Sequence, residues 1–382
     1  MIGVTGLKGK TLPRRVLVVV TRRIGDVLLA TPVIRSLKAA WPDVEVDVLV
    51  FSSTAGVLAG NADICQIRAI PERPGLMQHF VFIAKLFKRY DLALSLVPGD
   101  RPTLYAFLAA RRKIGLLLDT PKERWKQRFL DQWVAYDTAE KHTVLTYLSL
   151  LGLINVTPRA DVVAGWRDAD QQQADALLGP LQNQRYVVLH LYPKFNYKLW
   201  SDDGWRELSR WITAQNLQIV LTGSNDSDEL AYINRFAQQM SAHIPAPLNL
   251  AGKLSLGATA CVLSRAAAYV GPDTAVTHMA AALGVPVVTL FGPTDPVKWG
   301  PWPKGYADLD RTPWQRLVSS GDQSRGNVQL LQGHAACVPC GKEGCRRNIA
   351  SYSDCLQQLP PARVISALNA ALKAAPPSKN VN

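Results

Sequence analysis

The sequence predicts an α/β protein with two Rossmann-like domains, whose parallel sheets face each other across a cleft. Short apolar runs alternate with stretches of helical periodicity, and this alternation occurs in two successive series. The 382 residues also exceed the usual size of a single hydrophobic core. Continuous apolar runs are typical of parallel strands, because such strands are covered on both faces. The cleft between the domains is the expected active site.

The first domain is predicted over residues 1–175. Its expected strands are Arg15–Val20, Val44–Val50, Ile64–Ile70, Leu92–Leu96 and Lys113–Leu118. Its expected helices lie near Asp26–Ala40, Leu76–Arg89, Thr103–Arg111 and Lys141–Leu151. A polar segment at about Asn155–Asn183 is expected to separate this domain from the second.

The second domain is predicted over residues 176–382. Its expected strands are Tyr186–Leu191, Gln218–Thr222, Ala267–Val270 and Val287–Phe291. Its expected helices lie near Asp203–Ala214, Ser227–Met240, Ser255–Arg265 and Thr274–Leu283. We refer to residues 334–355, which follow these elements, as the Cys-rich segment.

Composition indicates a globular protein, with 48% hydrophobic and 19% charged residues. No apolar run is long enough to cross a membrane, and the first residues lack the apolar core of a secretory signal. We therefore expect a cytoplasmic protein. No Gly-x-Gly-x-x-Gly follows the first strand, which argues against a dinucleotide-dependent dehydrogenase.

The net charge of +13 favours an acidic partner, such as an anionic lipid surface, an acidic substrate or a nucleic acid. Basic residues cluster in Lys85–Arg89 and in Arg111–Phe129. The second cluster includes Trp125 and Phe129, a mixture typical of an interfacial membrane segment. The alternative is a solvated basic face that binds nothing.

A polar cluster stands at the ends of two predicted strands of the second domain. Asp273 and Thr274 lie where Ala267–Val270 ends and a helix of small residues begins, and His278 follows Thr274 by one helical turn. Gly292-Pro-Thr294 ends the next strand. Such strand ends bind ligands in open α/β sheets, and a helix N-terminus favours phosphate. The cluster predicts a site for a phosphate-bearing ligand; the alternatives are a helix cap, a core histidine and an ordinary turn.

A second candidate site follows the first predicted strand. Gly25 permits a tight turn or a close approach of backbone to ligand, and Asp26 begins the first long helix. Asp26 is a candidate general base, with a simple helix cap as the alternative. Because a helix N-terminus lowers the pKa of a carboxyl, a base here needs burial or a neighbouring substrate to offset that effect.

These elements resemble those of a known family, the ADP-heptose:lipopolysaccharide heptosyltransferases, glycosyltransferase family nine. The similarity extends from about Arg15 to the C-terminal helix and rests on Gly25-Asp26 with Thr31-Pro32, Lys198-x-Trp200 with Trp205, and Gly271–Pro296. The resemblance implies a GT-B fold with an N-terminal acceptor domain and a C-terminal nucleotide-sugar domain. It also implies inverting, metal-independent transfer of heptose from ADP-heptose to the lipopolysaccharide core, with no cofactor required.

Roles for single residues follow from the same resemblance. Asp26 matches the catalytic base, and the acceptor is expected beside Arg22, Arg23 and Gly25. The acceptor is an acidic glycolipid, so the resemblance implies a protein bound peripherally to the anionic cytoplasmic face of the inner membrane. This location suits the positive charge.

The donor is expected in the second domain. Lys198 matches the lysine that neutralises the departing diphosphate; Lys194 competes with it, since residues 190–198 depart from the family's Thr-rich loop. Asp273 is expected to hold the donor sugar. The diphosphate and the remaining donor contacts are expected at Thr274, Ala275, His278, Gly292, Pro293 and Thr294.

Four cysteines of the Cys-rich segment form a separate candidate site. Cys337, Cys340, Cys345 and Cys355 include a Cys-x-x-Cys pair, which indicates a structural zinc site. Reduced structural thiols and a redox pair are the alternatives. Clusters of this kind occur in parts of the family, and the present one resembles those of the third, branch-adding heptosyltransferases.

Two other functional classes compete with the transferase. One is a different sugar-nucleotide enzyme on the same fold, such as an epimerase, which requires further acid or base residues around the sugar. The other is a basic module that binds nucleic acid in a strongly salt-dependent way. The balance of the motifs favours the transferase, with no nucleic acid as partner.

Overall fold

The computed structural model describes residues 12–136, 140–181, 184–316 and 321–374. The chain divides into two compact units, Met1–Val163 with Ala307–Thr312, and Ala164–Tyr306 with Pro313–Asn382. The division thus precedes the expected boundary at residue 175. The reason is a helix over Asp168–Leu178 that packs into the second unit, where its Asp170 accepts a 2.6 Å hydrogen bond from the Ser255 hydroxyl. The polar segment at 155–183 is therefore partly helical and is not a plain linker.

The first unit is built on a six-stranded sheet whose strands pair in parallel. The strands are β1 (Arg15–Val19), β2 (Glu45–Phe51), β3 (Gln66–Ile70), β4 (Tyr90–Ser95), β5 (Ala110–Leu117) and β6 (Gln132–Ala135). Their order is β3-β2-β1-β4-β5-β6, the doubly wound order of a Rossmann sheet. Five of these strands match the expected ones, and β6 was not expected.

Helices cover the sheet of the first unit. They are α1 (Ile24–Leu28), α2 (Thr31–Ala40), α3 (Leu76–Leu86), α4 (Asp100–Ala109) and α5 (Thr143–Leu148). The expected helix at 26–40 is in fact two helices, because Pro32 has no N–H to donate to the carbonyl of Leu28. That carbonyl instead accepts a 2.7 Å hydrogen bond from the Thr31 hydroxyl.

The second unit is built on a seven-stranded sheet. Its strands are β7 (Tyr186–His190), β8 (Gln218–Thr222), β9 (Leu248–Asn249), β10 (Ala268–Pro272), β11 (Val287–Phe291), β12 (Gln323–Arg325) and β13 (Val328–Gln332). The order is β12-β13-β11-β10-β7-β8-β9, with β12 antiparallel and the other pairs parallel. Apart from β12, this is again the doubly wound order. The short strand β9 and the pair β12 and β13 were not expected.

The helices of the second unit are α6 (Asp168–Leu178), α7 (Asp202–Ala214), α8 (Ser227–Ser241), α9 (Leu256–Ser264), α10 (Ala275–Leu283), α11 (Pro296–Trp299), α12 (Asp354–Gln357) and α13 (Pro361–Ala374). Four of these helices, α7 to α10, lie at the expected positions, and the other helices were not expected. The central strands β7, β10 and β11 are buried along their whole lengths. Their apolar side chains and those of α7, α8 and α13 form one hydrophobic core.

The basic stretch Arg111–Phe129 is less accessible than its sequence suggests. Its first half belongs to β5, and its second half is a 3-10 helix over Pro121–Phe129. Lys126 is buried, with its ammonium 2.6 Å from a carboxylate oxygen of Asp100 and in contact with that of Glu123. The expected binding of Arg111–Phe129 to an anionic membrane stays a prediction, and the buried Lys126 and the buried residues of β5 are not available for it. In the described ranges, no helix is long and apolar enough to cross a bilayer.

Candidate active site

Each sheet has one place where the strand order reverses, and the candidate residues lie there. In the first unit β1 pairs with both β2 and β4, and Asp26 follows β1. In the second unit β7 pairs with both β8 and β10; Lys198 follows β7 and Asp273 follows β10. The carboxyl ends of such strand pairs are where doubly wound sheets bind ligands.

Asp26 is a buried carboxylate in the first turn of α1, with 4% of its surface exposed. It is not the cap of this helix, since Arg23 takes the N-cap position and makes no side-chain capping hydrogen bond. The hydroxyl of Tyr147 donates to Asp26 Oδ1 at 3.4 Å, and Arg22 Nε lies 4.0 Å from the same oxygen. The alternative of a simple helix cap is therefore wrong.

The pKa of Asp26 is raised above the ordinary value of an aspartic acid because burial disfavours its charged form. The positive charges of Arg22 and Arg23 and the hydrogen bond from Tyr147 act in the opposite direction and are weaker than the effect of burial. Burial thus offsets the influence of the helix N-terminus. The raised pKa gives Asp26 a greater proton affinity, which suits a general base.

The other residues expected at the acceptor side are arranged around this carboxylate. Arg22 and Arg23 are exposed on the loop that joins β1 to α1. Gly25 lies inside α1 and does not have a positive φ, so the expected glycine-dependent turn is absent at this position. The two arginines place positive charge beside a buried base, an arrangement suited to an anionic acceptor.

Lys198 and Asp273 form the central ion pair of the second unit. Lys198 Nζ lies 2.5 Å from Asp273 Oδ2 and also donates to the Asp273 carbonyl oxygen at 3.2 Å. Both side chains are largely buried, with 18% and 8% of their surfaces exposed. Lys194, by contrast, is exposed on the same loop. The structure therefore brings Lys198, and not Lys194, to the end of β10.

The loop that carries Lys198 is fixed by aromatic packing. The indole of Trp200 is buried, donates a 2.9 Å hydrogen bond to the Leu359 carbonyl and packs edge-on against Trp205. A Cβ at position 204 would lie 2.4 Å from the Trp200 ring, which explains the glycine there. The Lys198-x-Trp200 motif thus positions a cation by anchoring the neighbouring tryptophan.

The N-terminus of α10 lies beside this ion pair. Thr274 is the N-cap residue, and its side chain makes no capping hydrogen bond. Ala275, the first residue of the helix, is only partly buried. Asp273 precedes the cap, so the alternative that Asp273 is merely a helix cap is wrong. Backbone N–H groups at such a helix start attract anionic oxygens.

His278 is buried one turn into α10. Its Nε2 lies 3.8 Å from Asp273 Oδ1, and its Nδ1 has no hydrogen-bond partner within the described residues. Burial lowers the pKa of His278 to about 4; Asp273 opposes this effect and the charge of Lys198 adds to it. The ring is therefore neutral at pH 7. An unpartnered buried nitrogen is costly, so His278 does not behave as a satisfied core histidine.

The turn Gly292-Pro-Thr294 ends β11 at the same edge of the sheet. The side-chain amide of Gln332 donates to the carbonyls of Gly292 and Thr294 at 3.3 and 3.4 Å, and the Gly341 N–H donates to the Pro293 carbonyl at 2.8 Å. A Cβ at position 292 would lie 2.6 Å from Leu356. The turn is thus a braced element of the site.

A buried acid that was not predicted from the sequence lies near the end of the neighbouring strand, β8. Glu229 in α8 is buried; its Oε2 accepts a 2.5 Å hydrogen bond from Ser224, and its Oε1 has no partner within the described residues. A Cβ at position 223 would lie 2.8 Å from that free oxygen. Glu229 can therefore accept hydrogen bonds from ligand hydroxyls. The sequence signal was Gly223-Ser224 directly after β8, with an acid one to two turns later.

The four cysteines of the Cys-rich segment are neighbours, but the structure gives them no metal-binding arrangement. The pKa of Cys355 is raised to about 12, chiefly by burial and to a smaller extent by the other three thiols. Throughout the ranges that the structure describes, no three His, Cys, Asp or Glu side chains are placed to hold one metal ion. The structural zinc site, the reduced structural thiols and the redox pair all stay predictions.

The Cys-rich segment instead braces the donor-side loops. The Ile349 carbonyl accepts a 3.2 Å hydrogen bond from the Asn196 N–H, two residues before Lys198. Gly341, as noted above, holds the turn at Pro293. The segment therefore supports two loops of the candidate site at once, without contributing a reacting group.

Comparison with known proteins decides the family. The sequence profile of glycosyltransferase family 9 (heptosyltransferase) matches residues 84–316. The chain belongs to glycosyltransferase family 9. Among its relatives, lipopolysaccharide heptosyltransferase 3 of Escherichia coli is 28% identical, and the match covers 82% of this chain and 94% of that protein. The family expected from sequence is thus confirmed.

Solved structures of family 9 proteins share the fold of this chain. A glycosyl transferase family 9 protein from Veillonella parvula superposes with a TM-score of 0.77 at 17% identity, covering 95% of this chain and 98% of its own. The ADP-heptose lps heptosyltransferase II of E. coli gives 0.71 at 18% identity, covering 94% and 98%. These likenesses confirm the expected α/β class and the GT-B fold.

Proposed function

We propose that this family 9 chain transfers heptose from ADP-heptose to the inner core of a lipopolysaccharide precursor, with inversion at the anomeric carbon and without a catalytic metal. The Lys198–Asp273 pair at the start of α10 is the observation that carries the proposal. The substrates are those in the names of its relatives, a lipopolysaccharide heptosyltransferase and an ADP-heptose transferase. Family membership favours this function over an epimerase or a nucleic-acid-binding module.

The diphosphate of the donor fits the second unit. When the bond between the sugar and the diphosphate breaks, negative charge grows on the leaving oxygen. Lys198 Nζ and the N–H groups at the start of α10 supply positive charge for it, and His278 offers a neutral ring nitrogen. Asp273 holds Lys198 in place and is adjacent to the proposed sugar position. We assign the hydroxyls of the nucleoside to Glu229, whose free oxygen accepts hydrogen bonds.

Asp26 is the proposed base for the acceptor. The acceptor hydroxyl oxygen attacks the anomeric carbon, Asp26 takes the hydroxyl proton, and the carbon–oxygen bond to ADP breaks. A single displacement of this kind requires one base and no covalent nucleophile, and it inverts the anomeric centre. The raised pKa of Asp26 supports this role, because a stronger base accepts the proton more readily.

We propose metal independence on the basis of the same charges. A metal ion commonly neutralises a departing diphosphate, and the ammonium of Lys198 and the N-terminus of α10 support the proposal that protein groups do so here. We assign the acceptor anions to Arg22 and Arg23, and we place the enzyme in the cytoplasm, bound peripherally to the inner membrane. The similarity to a heptosyltransferase 3 supports a branch heptose as the product.

The test combines purified protein, ADP-heptose and a lipopolysaccharide precursor that lacks the branch heptose. The proposal expects ADP release matched by one added heptose on the acceptor, and nuclear magnetic resonance of the product should show the inverted linkage. Conversion of ADP-heptose without any acceptor would favour the epimerase. Absence of ADP-heptose binding in calorimetry would reject the donor assignment.

A further inference from the structure

Helix α3 in the first unit presents an apolar face to solvent. Leu76, Met77 and Phe80 are 92%, 75% and 71% exposed, and Val81 and Phe87 continue the face to the end of the helix. Met77, Phe80 and Val81 follow Leu76 by one, four and five residues, which places these four side chains on one side of the helix. Five of the chain's exposed large hydrophobic side chains thus lie within twelve residues. Exposed apolar patches of this kind mark interaction surfaces.

The opposite face of α3 is firmly packed, so the exposure is not a sign of a loose helix. Leu86 is buried, and the Phe82 ring meets the Tyr105 ring edge-on at 6.1 Å. His79 Nε2 and the Tyr105 hydroxyl are hydrogen-bonded at 2.9 Å. The helix is therefore held to α4 by one apolar side while a second apolar side remains uncovered.

The charged residues of the segment 73–90, which contains α3, are all basic. They are Arg73, Lys85, Lys88 and Arg89, and the nearest acids in the sequence, Glu72 and Asp91, lie just outside this segment. The three at the C-terminal end are exposed, and Lys88 Nζ lies 5.3 Å from the centre of the Phe87 ring. An amphipathic helix with aromatic and aliphatic residues on one face and lysine or arginine at its edges is suited to an anionic lipid interface.

A second exposed group of the same chemistry lies on the other elements packed with α4. Phe107 on α4 and Trp125 on the 3-10 helix over Pro121–Phe129 are exposed and are linked through the Phe129 ring, which meets them edge-on at 5.0 and 5.7 Å. Lys122 and Arg124 lie beside Trp125 in the sequence and are exposed. Exposed aromatic and basic side chains are therefore found on α4 and its neighbour as well as on α3.

We propose that α3 is the membrane-docking element of this protein, inserting Leu76, Met77 and Phe80 among the lipids of an anionic bilayer while Lys85, Lys88 and Arg89 contact the phosphate headgroups. The charge of this segment favours a lipid bilayer over a second copy of the chain as the binding partner of α3. A twofold dimer through α3 would bring the same cations of both copies together with no acids of that segment to pair them. An anionic lipid surface offers the complementary charge.

The test is sedimentation of the full-length protein with vesicles of phosphatidylcholine alone or mixed with phosphatidylglycerol. We expect binding to the mixed vesicles, weakened by salt. Leu76→Gln/Phe80→Gln should weaken it about tenfold or more, since a buried Leu or Phe side chain contributes roughly that much to partitioning. Lys85→Gln/Arg89→Gln should weaken it roughly fivefold for each charge removed.

Matched controls lie elsewhere on the chain. Leu12→Gln/Ile67→Gln removes two exposed apolar side chains, and Arg210→Gln/Arg235→Gln removes two exposed charges. Neither should change vesicle binding. Transfer to a lipid-free acceptor sugar should be equal in all variants, so a failure of the proposed transferase activity is distinguishable from a failure of docking.

Three results would overturn the proposal. The first is wild-type protein that binds neither type of vesicle. The second is binding that the α3 substitutions leave unchanged. The third is a dimer in light scattering that Leu76→Gln/Phe80→Gln converts to a monomer, because a second copy would then be the occupant of the face.

Discussion

Replacing Lys198 by alanine tests the donor site most informatively, because it affects both stability and rate. The substitution leaves the Asp273 carboxylate, which is 8% exposed, without the ammonium 2.5 Å away. Exposed ion pairs contribute only about 0–1 kcal/mol, whereas removing one partner of a buried pair costs about 3–5 kcal/mol. Lys198 is itself 18% exposed, so we expect the lower end, about 3 kcal/mol. In a unit of this size that lowers Tm by roughly 6–12 °C.

The effect on turnover has a different cause. The ammonium is needed most when charge grows on the leaving diphosphate, and losing one such electrostatic group costs about 10²–10³ in rate. The loss should therefore appear mainly in kcat, with a smaller increase in the dissociation constant of ADP-heptose. Lys198→Arg should restore only part of the rate, because a planar guanidinium does not reproduce a compact ammonium.

Calorimetric melting and steady-state kinetics measure the two effects on the same samples. Lys194→Ala, an exposed lysine of the same loop, is the matched control and should behave as wild type. The double variant Lys198→Ala/Asp273→Asn also removes the unpaired carboxylate charge of Asp273. It should therefore regain most of the Tm that Lys198→Ala loses, but none of the rate. Normal kinetics in Lys198→Ala together with a loss in Lys194→Ala would refute the assignment of the cation.

Four further predictions concern the base, its tyrosine partner, the buried histidine and metal removal. Asp26→Asn should lower turnover about 10²–10⁴-fold while ADP-heptose binding in calorimetry stays unchanged; wild-type turnover would eliminate this base. Because Tyr147 donates a hydrogen bond that lowers the pKa of Asp26, Tyr147→Phe should move the acid limb of the kcat profile to higher pH, and an unmoved limb would contradict the contact. Folding depresses the pKa of His278 to about 4, so the unfolded chain binds the proton first and stability should fall between pH 6.5 and 4, by up to about 3 kcal/mol; His278→Gln should flatten the denaturation curve in this window. Dialysis against a chelator should leave the transfer rate unchanged, since protein groups meet the diphosphate charge; recovery only on adding a divalent ion would disprove this.

The fold was largely predictable because parallel strands have a simple sequence signal. The runs at Gln218–Thr222 and Val287–Phe291 coincide with β8 and β11, since buried strands of a parallel sheet need apolar residues on both faces. The strands at the sheet edges, β6, β9 and β12, carry no such signal. They are short and only partly buried, so their residues need not be apolar.

The candidate site was predictable as a set of residues but not as a set of contacts. Position after a strand selected Asp26, Asp273 and Lys198, yet the sequence could not show that Lys198 reaches Asp273, because 75 residues separate them. The pKa of Asp26 is raised by burial and is partly lowered again by a hydrogen bond from a tyrosine 121 residues away, and neither effect can be read from the sequence. Glu229 was overlooked because Asp228 precedes it directly in α8, and the Gly223-Ser224 signal does not tell which of the two acids is buried.

The exposed apolar face of α3 was not predicted from the sequence, for a physical reason. Charge density drew attention to Arg111–Phe129, but β5 and the buried Lys126 use part of that stretch inside the first unit. An apolar helix such as α3 normally indicates a buried element, and only the structure shows which of its two faces is covered.

The central claim, heptose transfer by the Asp26 and Lys198 machinery, is tested most directly by one measurement. Wild-type protein and Asp26→Asn are incubated with ADP-heptose and a branch-deficient lipopolysaccharide precursor, and the acceptor mass and released ADP are followed together. Wild type should add one heptose for each ADP released, while Asp26→Asn should bind the donor and release almost no ADP. Equal heptose addition by both proteins, or ADP-heptose consumed by wild type with an unchanged acceptor mass, would contradict the account.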